Sequence, residues 1–425
     1  MNVTSMSEKE LIQVRADLQE RYNKFKAKNL KLNMARGKPE TEQVALSMDM
    51  LDAFNSKSNV YASTGDDCRN YGMPDGLPEM RQIFSEIMGV DASNIIAGGN
   101  SSLNLMFDTV SCGMTHGFSG CLPWGKQGAV KFLCPSPGYD RHFAITEYFG
   151  FELVSVPMLP TGPDMDLVEK LISSDESVKG IWCVPKYSNP EGTTYSDETV
   201  RRFAALKPAA KDFRIFWDNA YCVHDLTDTP DPLLNLWLAC KETGNEDLPF
   251  FFASTSKISF PGAGVAALGA SDRNLSVLKK HFSYQTIGPD KLNQLRHLYF
   301  FQNYDGVMEH MQKHRALLAP KFQAVIAKLE SELSGKGVAK WTNPNGGYFI
   351  SVDVLSGCAK RVVSLCKESG VILTGAGATF PYGKDPNDSN IRIAPTYPPV
   401  AELQTAMELF CICVQLAAVE KLLSK

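Results

Sequence analysis

The chain has 425 residues, 44% hydrophobic and 21% charged, which is an ordinary globular composition with room for two or three domains. A net charge of −4 gives no cationic footprint for nucleic acid, and the most apolar run (410–419) is too short to span a bilayer and is broken by Gln415. The eleven cysteines are odd in number and scattered, so they read as buried free thiols of a reducing cytoplasm.

The polar, amphipathic N-terminus reads as neither a signal peptide nor an anchor. Residues 7–29 predict a helix, with Ser7 as N-cap and Glu10 three positions on, a capping box. "LNMARGKPE" (32–40) reads as a loop. From about 90 to 270, short apolar runs alternate with helical patterns. The strand candidates are 94–99, 130–135, 152–158, 180–185, 214–220 and 250–255. Such alternation predicts a mostly parallel sheet with helices on both faces. A long helix is expected over 290–334, then a smaller α+β unit over 338–425. The expected division is 1–50 (a helix and arm belonging to the smaller domain), 51–305 (the large domain) and 306–425 (the small C-terminal domain).

Polar residues of unusual type fall at one strand end after another: Gly99, Asn100 and Ser101, then Tyr139, Asn189, Asp218 with Tyr221, and Lys257. Ligands of open α/β sheets gather at the carboxyl ends of strands, so these positions predict one shared crevice. A lysine beside an apolar sheet is poorly solvated, and a neutral amine can join a carbonyl as a Schiff base. A buried Asp218 needs a cationic partner, which a protonated pyridine nitrogen supplies. Asn189 and Tyr221 suit a phenolic oxygen, and Tyr139 offers a face for stacking. Gly99, Asn100 and Ser101 open a helix, where N–H groups suit a phosphate, and Ser254 and Ser256 add hydroxyls. Aldehyde, pyridine, phenolate and phosphate together describe pyridoxal 5'-phosphate. Singly, each residue has a plain reading: Lys257 at the surface, Asp218 as an N-cap, Asn189 in a turn, Tyr139 in the core.

The segments "YGMPDGLPEMR" (71–81), "SNPEG" (188–192), "WDNAY" (217–221), "STSK" (254–257) and "IRIAP" (391–395) resemble, in order, class I aminotransferases of the fold-type I pyridoxal-phosphate family. "RGKPE", "GGNSSLNLM", "PGYDRHF" and "TIGPDKLNQLRH" resemble more narrowly a bacterial subgroup of aspartate aminotransferases. The resemblance implies an α/β fold: a large domain with a mostly parallel seven-stranded sheet, plus a smaller α+β domain. It implies Lys257 as Schiff-base lysine and proton shuttle, Asp218 on the pyridine nitrogen, and Asn189 and Tyr221 on the phenolic oxygen. Tyr139 would stack on the ring. Asn100, Ser101 and Ser254 would bind phosphate, with Tyr71 reaching it from a partner subunit of a homodimer. Arg392 would clamp the substrate α-carboxylate, with Gly37 against it.

The chain departs from the wider family at one turn. A Pro-Gly-x-Arg turn normally supplies a phosphate-binding arginine, and Gly264 stands in its place. Either Lys291 balances the phosphate, across the dimer interface, or the small residues at 262–264 let backbone approach it. For a dicarboxylic substrate, Arg141 is the candidate second cation, with Lys38 and Arg36 behind it. Arg141 could instead pair with Glu147 or Asp140. The implied reaction is a ping-pong transfer from an amino acid, with aspartate first choice, to 2-oxoglutarate. Alanine or aromatic donors, or a lyase on the same cofactor, are the alternatives. A cofactor-sensing regulator would need a basic winged helix before the fold, which the first forty residues do not resemble. None of the seven histidines has HExxH spacing, so no metal site is expected. His142 and His297 read as core or surface residues.

Overall fold

The computed structural model describes residues 2–35 and 37–424. The first helix, Glu8–Lys26, begins as expected: the Glu10 carboxylate accepts the Ser7 N–H at 2.7 Å, and the Ser7 hydroxyl accepts the Glu10 N–H at 3.4 Å. Its apolar stripe (Leu11, Leu18, Tyr22, Phe25) packs on the C-terminal helix Val400–Leu423. The following loop contains a two-residue strand, β1 (Leu32–Asn33).

The main sheet holds β2 (Ile95–Ala97), β3 (Lys131–Ser136), β4 (Glu152–Leu159), β5 (Gly162–Pro163), β6 (Val178–Cys183), β7 (Arg214–Asp218), β8 (Pro249–Ser254) and β9 (Ala266–Gly269). Their spatial order is β2-β9-β8-β7-β6-β3-β4-β5. Six strands share one direction, and β9 and β5 oppose their neighbours. The sheet thus has eight strands rather than the expected seven. The eighth is the two-residue β5, which turns back on β4 as a hairpin too short to show in the sequence. Both faces of the central strands are buried, which explains their continuous apolar runs. Phe216, Phe250 and Phe252 enter the core on one face, and Ile215, Trp217 and Phe251 enter the core on the other.

The expected helix over 290–334 is two helices, Lys291–Phe301 and Tyr304–Leu333. Gln302 breaks it with φ 64°, and Asn303 caps the second helix through its carbonyl oxygen, 3.0 Å from the Gly306 N–H. The division expected at 305/306 falls in the first turn of Tyr304–Leu333. Val307 and Met311 of that helix pack in a core of the main sheet, and Leu318 to Leu333 pack in a separate core. This second core joins the first helix to β10 (Ala339–Trp341), β11 (Ile350–Val354), β12 (Val371–Ile372), β13 (Asn390–Ile393) and the C-terminal helix. β10, β11 and β13 form an antiparallel sheet, and β12 pairs with β1. All eleven cysteines are free, and among the described residues no helix is long and apolar enough to cross a membrane.

Candidate active site

The carboxyl ends of β3, β6, β7 and β8 converge on a cavity of about 110 Å³. After β8 the chain turns tightly: the Thr255 hydroxyl accepts the Val265 N–H at 2.9 Å, and Ile258 N–H donates to the Thr255 carbonyl at 2.9 Å. Lys257 stands on this turn and lines the cavity, with its amine 5.1 Å from the Tyr221 ring centre and 5.9 Å from that of Tyr348. Burial lowers its pKa below the usual lysine range, and Asp218 opposes that shift. From beneath, the Nε2 atoms of His310 and His314 each lie 3.0 Å from the Ile258 carbonyl, fixing the turn.

Asp218 ends β7 and is only 2% exposed. Its Oδ2 lies 3.0 Å from His142 Nε2, and a carboxylate can only accept, so the imidazole donates. Its Oδ1 is buried without a partner. His142 stacks on Trp182 at 4.5 Å between ring centres and meets the Tyr139 ring edge-on at 4.8 Å. Burial pushes the Tyr139 phenol up to about 12 and the Tyr221 phenol well above its ordinary value, so both remain neutral at physiological pH.

Arg392, on β13 of the smaller sheet, meets Asn189 at the edge of the cavity. Its Nη1 donates to Asp140 Oδ1 at 2.9 Å and Asn189 Oδ1 at 3.2 Å, while its Nε is buried and unpartnered. The guanidinium lies 4.9 Å from the Phe349 ring centre, and that ring is pressed against Gly37, where a Cβ would come within 2.3 Å of it. Only glycine fits at position 37.

At the other end of the cavity, Ser101 caps the helix Ser102–Thr115 by accepting the Leu103 N–H at 3.2 Å. Gly99, at φ 70°, makes the preceding bend. Ser254 and Ser256 line the same end with hydroxyl oxygens 3.1 Å apart, and Ser256 donates to the Asn100 carbonyl. The Asn100 side chain turns instead to the Gly262 carbonyl at 3.4 Å. The structure thus gathers Lys257, Asp218, Tyr221, Tyr139 and Asn189 with Ser101, Ser254 and Ser256 around one cavity, and Arg392 joins through Asn189.

Other expected residues lie elsewhere. Lys291 does not line the cavity: it starts the helix Lys291–Phe301 and its amine donates to the Gly72 carbonyl at 3.0 Å. Within this chain it supports the loop that carries Tyr71, which is 80% exposed. At Gly264 a Cβ would lie 3.0 Å from Thr255 Oγ1 and 3.2 Å from the Ser256 N, so any side chain there would be crowded by the turn. Arg141 is exposed beside Tyr139, and the Lys38 amine sits 3.9 Å from the Tyr397 ring centre. Arg36 lies outside the described residues. Sequence reasoning missed His142, Asp140 and Glu191. For His142 the signal was there: three residues past Tyr139, it shares the face of the helix Asp140–Tyr148 that meets the sheet.

The family described as aspartate amino-transferase matches residues 6–425. The chain belongs to the aspartate aminotransferase family. An aspartate aminotransferase of Corynebacterium glutamicum is 46% identical over 405 residues, covering 95% of this chain and 93% of its own length. A crystal structure of an aspartate transaminase from the same organism superposes with a TM-score of 0.97 at 44% identity, covering 99% of each chain. An α-aminoadipate aminotransferase of Thermus thermophilus, solved with N-(5'-phosphopyridoxyl)-L-leucine, shares the fold at TM-score 0.74 and 18% identity, covering 99% of this chain and 96% of that one.

The aminotransferase uses pyridoxal phosphate, and the residues present fit that group. The unpartnered Asp218 Oδ1 is the acceptor a protonated pyridine nitrogen requires, and Lys257 supplies the amine. The capping Ser101 and the open amides of its helix suit the phosphate. The enzyme acts on amino acids and their 2-oxo acids.

Proposed function

We propose that this aminotransferase moves the amino group of aspartate to 2-oxoglutarate in a ping-pong reaction. One observation carries the reading. Asp140 and Asn189 occupy Nη1 of Arg392, and among the described residues nothing occupies its Nε–Nη2 edge, which can grip an α-carboxylate through two parallel hydrogen bonds. The resemblance to the Corynebacterium enzyme supports aspartate as donor.

The cofactor supplies an electron sink for the carbanion formed when the substrate Cα loses a proton. Asp218 keeps the ring nitrogen protonated, and His142 holds Asp218 in place. Lys257 would hold the cofactor through its aldehyde, and its amine would take the proton from the substrate Cα. Its lowered pKa leaves more of the neutral base available. Asn189 and Tyr221 would donate to the phenolic oxygen, and Tyr139 would offer its face to the ring. Ser101, Ser254 and Ser256 hold the phosphate together with backbone amides near Gly99 and Asn100. Arg141 reads the substrate's second carboxylate.

Three features support a homodimer with shared sites. Tyr71, Tyr284 and Ile287 are exposed at 80%, 81% and 64%. Their segments touch, since a Cβ at Gly288 would lie 2.2 Å from the Gly72 carbonyl. Tyr71 stands outside the cavity of its own chain, where a neighbour's phosphate would find it. Eleven free thiols support a cytoplasmic location. The proposed division into 1–50, 51–305 and 306–425 is supported by the core that joins the first helix to the C-terminal segment.

The test is turnover of the purified enzyme with a panel of amino acids, with and without 2-oxoglutarate. Aspartate should give the highest kcat/KM and yield oxaloacetate only with an acceptor. Faster turnover of alanine or an aromatic donor would overturn the substrate reading. Pyruvate and ammonia formed without acceptor would make the enzyme a lyase.

A further inference from the structure

Away from the cavity, the helix Ser102–Thr115 ends beside the end of the helix Asp272–Phe282. Cys112 and His116 are four residues apart, hence on one face of the first helix and its C-cap, and His281 lies in the last turn of the second. One ligand atom from each of the three lies within 4.8 Å of the others, and the two imidazole rings are 5.2 Å apart at 70°. We propose that Cys112, His116 and His281 form a binding site for a divalent metal ion of the zinc class.

Thiolate and imidazole ligands suit zinc or cobalt and reject magnesium and calcium, which take oxygen. The two helices point their C-terminal ends, and so their partial negative charge, at the same place, which favours a cation. The tautomer of His116 is also set. The Thr115 hydroxyl donates its single proton to the Ser111 carbonyl at 2.7 Å, so it accepts from His116 Nδ1, also at 2.7 Å. That leaves the His116 Nε2 lone pair free, and an outer partner of this kind is what ligating histidines use. Asp108, one turn before Cys112, places its carboxylate near His281 and accepts from Gln285 Nε2 at 3.1 Å. Asp108 or water completes the fourth position.

A tetrahedral ion with ordinary bond lengths wants its ligand atoms about 3.3–3.8 Å apart. Because His281 is partly exposed, a small rotation of its side chain closes the set while the Thr115 bond to His116 is kept. A thiol ligates as thiolate, so binding at Cys112 replaces its proton: the S–H bond breaks, the S–metal bond forms, and one proton leaves to solvent. The ligands come from helices 165 residues apart (281 − 116), so no local motif announces the site. The metal would brace the helix whose opposite end carries Ser101.

The experiment uses tag-free holoenzyme, dialysed against chelator and titrated with Co²⁺. Expected are one equivalent bound per chain, a thiolate-to-cobalt band in the near ultraviolet, release of about one proton per ion, and displacement by Zn²⁺. His116→Gln and His281→Gln should each weaken binding by about 10–100-fold or more, and Cys112→Ser should abolish the charge-transfer band. Cys112 is buried, so the two histidine variants decide the matter if Cys112→Ser does not fold. No stoichiometric binding, or equal affinity in wild type and His281→Gln, would overturn the site. The second outcome would place the metal on the cofactor or at the surface.

Discussion

The two ends of the cavity are built differently. The end that would receive the ring and the carboxylate is complete within one chain: His142 bonds Asp218, and Arg392 separately bonds Asp140 and Asn189. The phosphate end is open. It offers hydroxyls and a helix N-terminus, but Gly264 replaces a cation, Lys291 is committed to the Gly72 carbonyl, and Tyr71 faces out. Under the proposed function, charge on the substrate would be met by a fixed guanidinium, and charge on the phosphate by dipoles and by whatever a second copy supplies. Substitutions at the first end should therefore act on chemistry, and those at the second on cofactor retention and assembly.

The largest effect is expected at Lys257. Lys257→Ala should lower kcat by about 10⁴-fold or more, with the fold retained by circular dichroism. Residual activity within about tenfold of wild type would remove the lysine from proton transfer. Next comes Arg392→Lys. It keeps the charge and loses the fork, so kcat/KM should fall by about 10²-fold for donor and acceptor alike. An effect on one substrate only would mean that Arg392 reads a side chain instead.

At the phosphate end the effects should be smaller and different in kind. Gly264→Ala adds a Cβ against Thr255 Oγ1 and the Ser256 N, and should cost about 2–3 kcal/mol of stability in denaturant unfolding. A neutral result would show a turn with slack, which could then have held an arginine. Tyr71→Ala should weaken cofactor binding by about tenfold, as the loss of one charge-assisted hydrogen bond predicts. Mixing the Tyr71→Ala and Lys257→Ala chains then tests sharing directly. If Tyr71 serves the neighbour, a mixed dimer has one intact site, and at limiting cofactor, where the Tyr71→Ala homodimer is largely empty, activity recovers to about a quarter of wild type. If it serves its own chain, nothing recovers.

The sequence showed this asymmetry only in part. Residues that act through their own strand end were legible, because an odd polar residue after an apolar run stands out: Lys257, Asp218 and Asn189 all lie where expected. The helical cap at Ser7 was legible because its chemistry is local. For His142 the spacing from Tyr139 gave its face but not its role, since its partner lies 76 residues away (218 − 142) and a lone histidine has many uses. β9 was hidden by small residues that read as a glycine-rich turn, and the break at Gln302 occurs at a residue that ordinarily continues a helix. Lys291 shows what a charge alone leaves open: within one chain its amine donates to the Gly72 carbonyl, a contact that its sequence position did not announce.

The smallest predicted effect concerns the complete end, where Glu191 carries a cost. Its Oε1 accepts the Ser351 hydroxyl at 2.8 Å, and Asn390 donates to both Ser351 and Asp353. Burial, helped by the Asp353 charge, raises its pKa from 4.5 to about 7. A carboxyl raised in the folded state binds its proton more tightly there than in the unfolded chain, so its contribution to stability is fully present below about pH 4.5 and lost as pH rises through about 7. Glu191→Gln keeps the acceptor for Ser351 without the ionisation. It should match wild type near pH 5 and exceed it near pH 8 by about 1–2 kcal/mol, less than the full shift implies because the side chain keeps some contact with water. Urea unfolding at both pH values measures the difference. An equal gap at both would mean that Glu191 ionises without penalty, and the end beside Arg392 would then be no more tightly enclosed than the phosphate end.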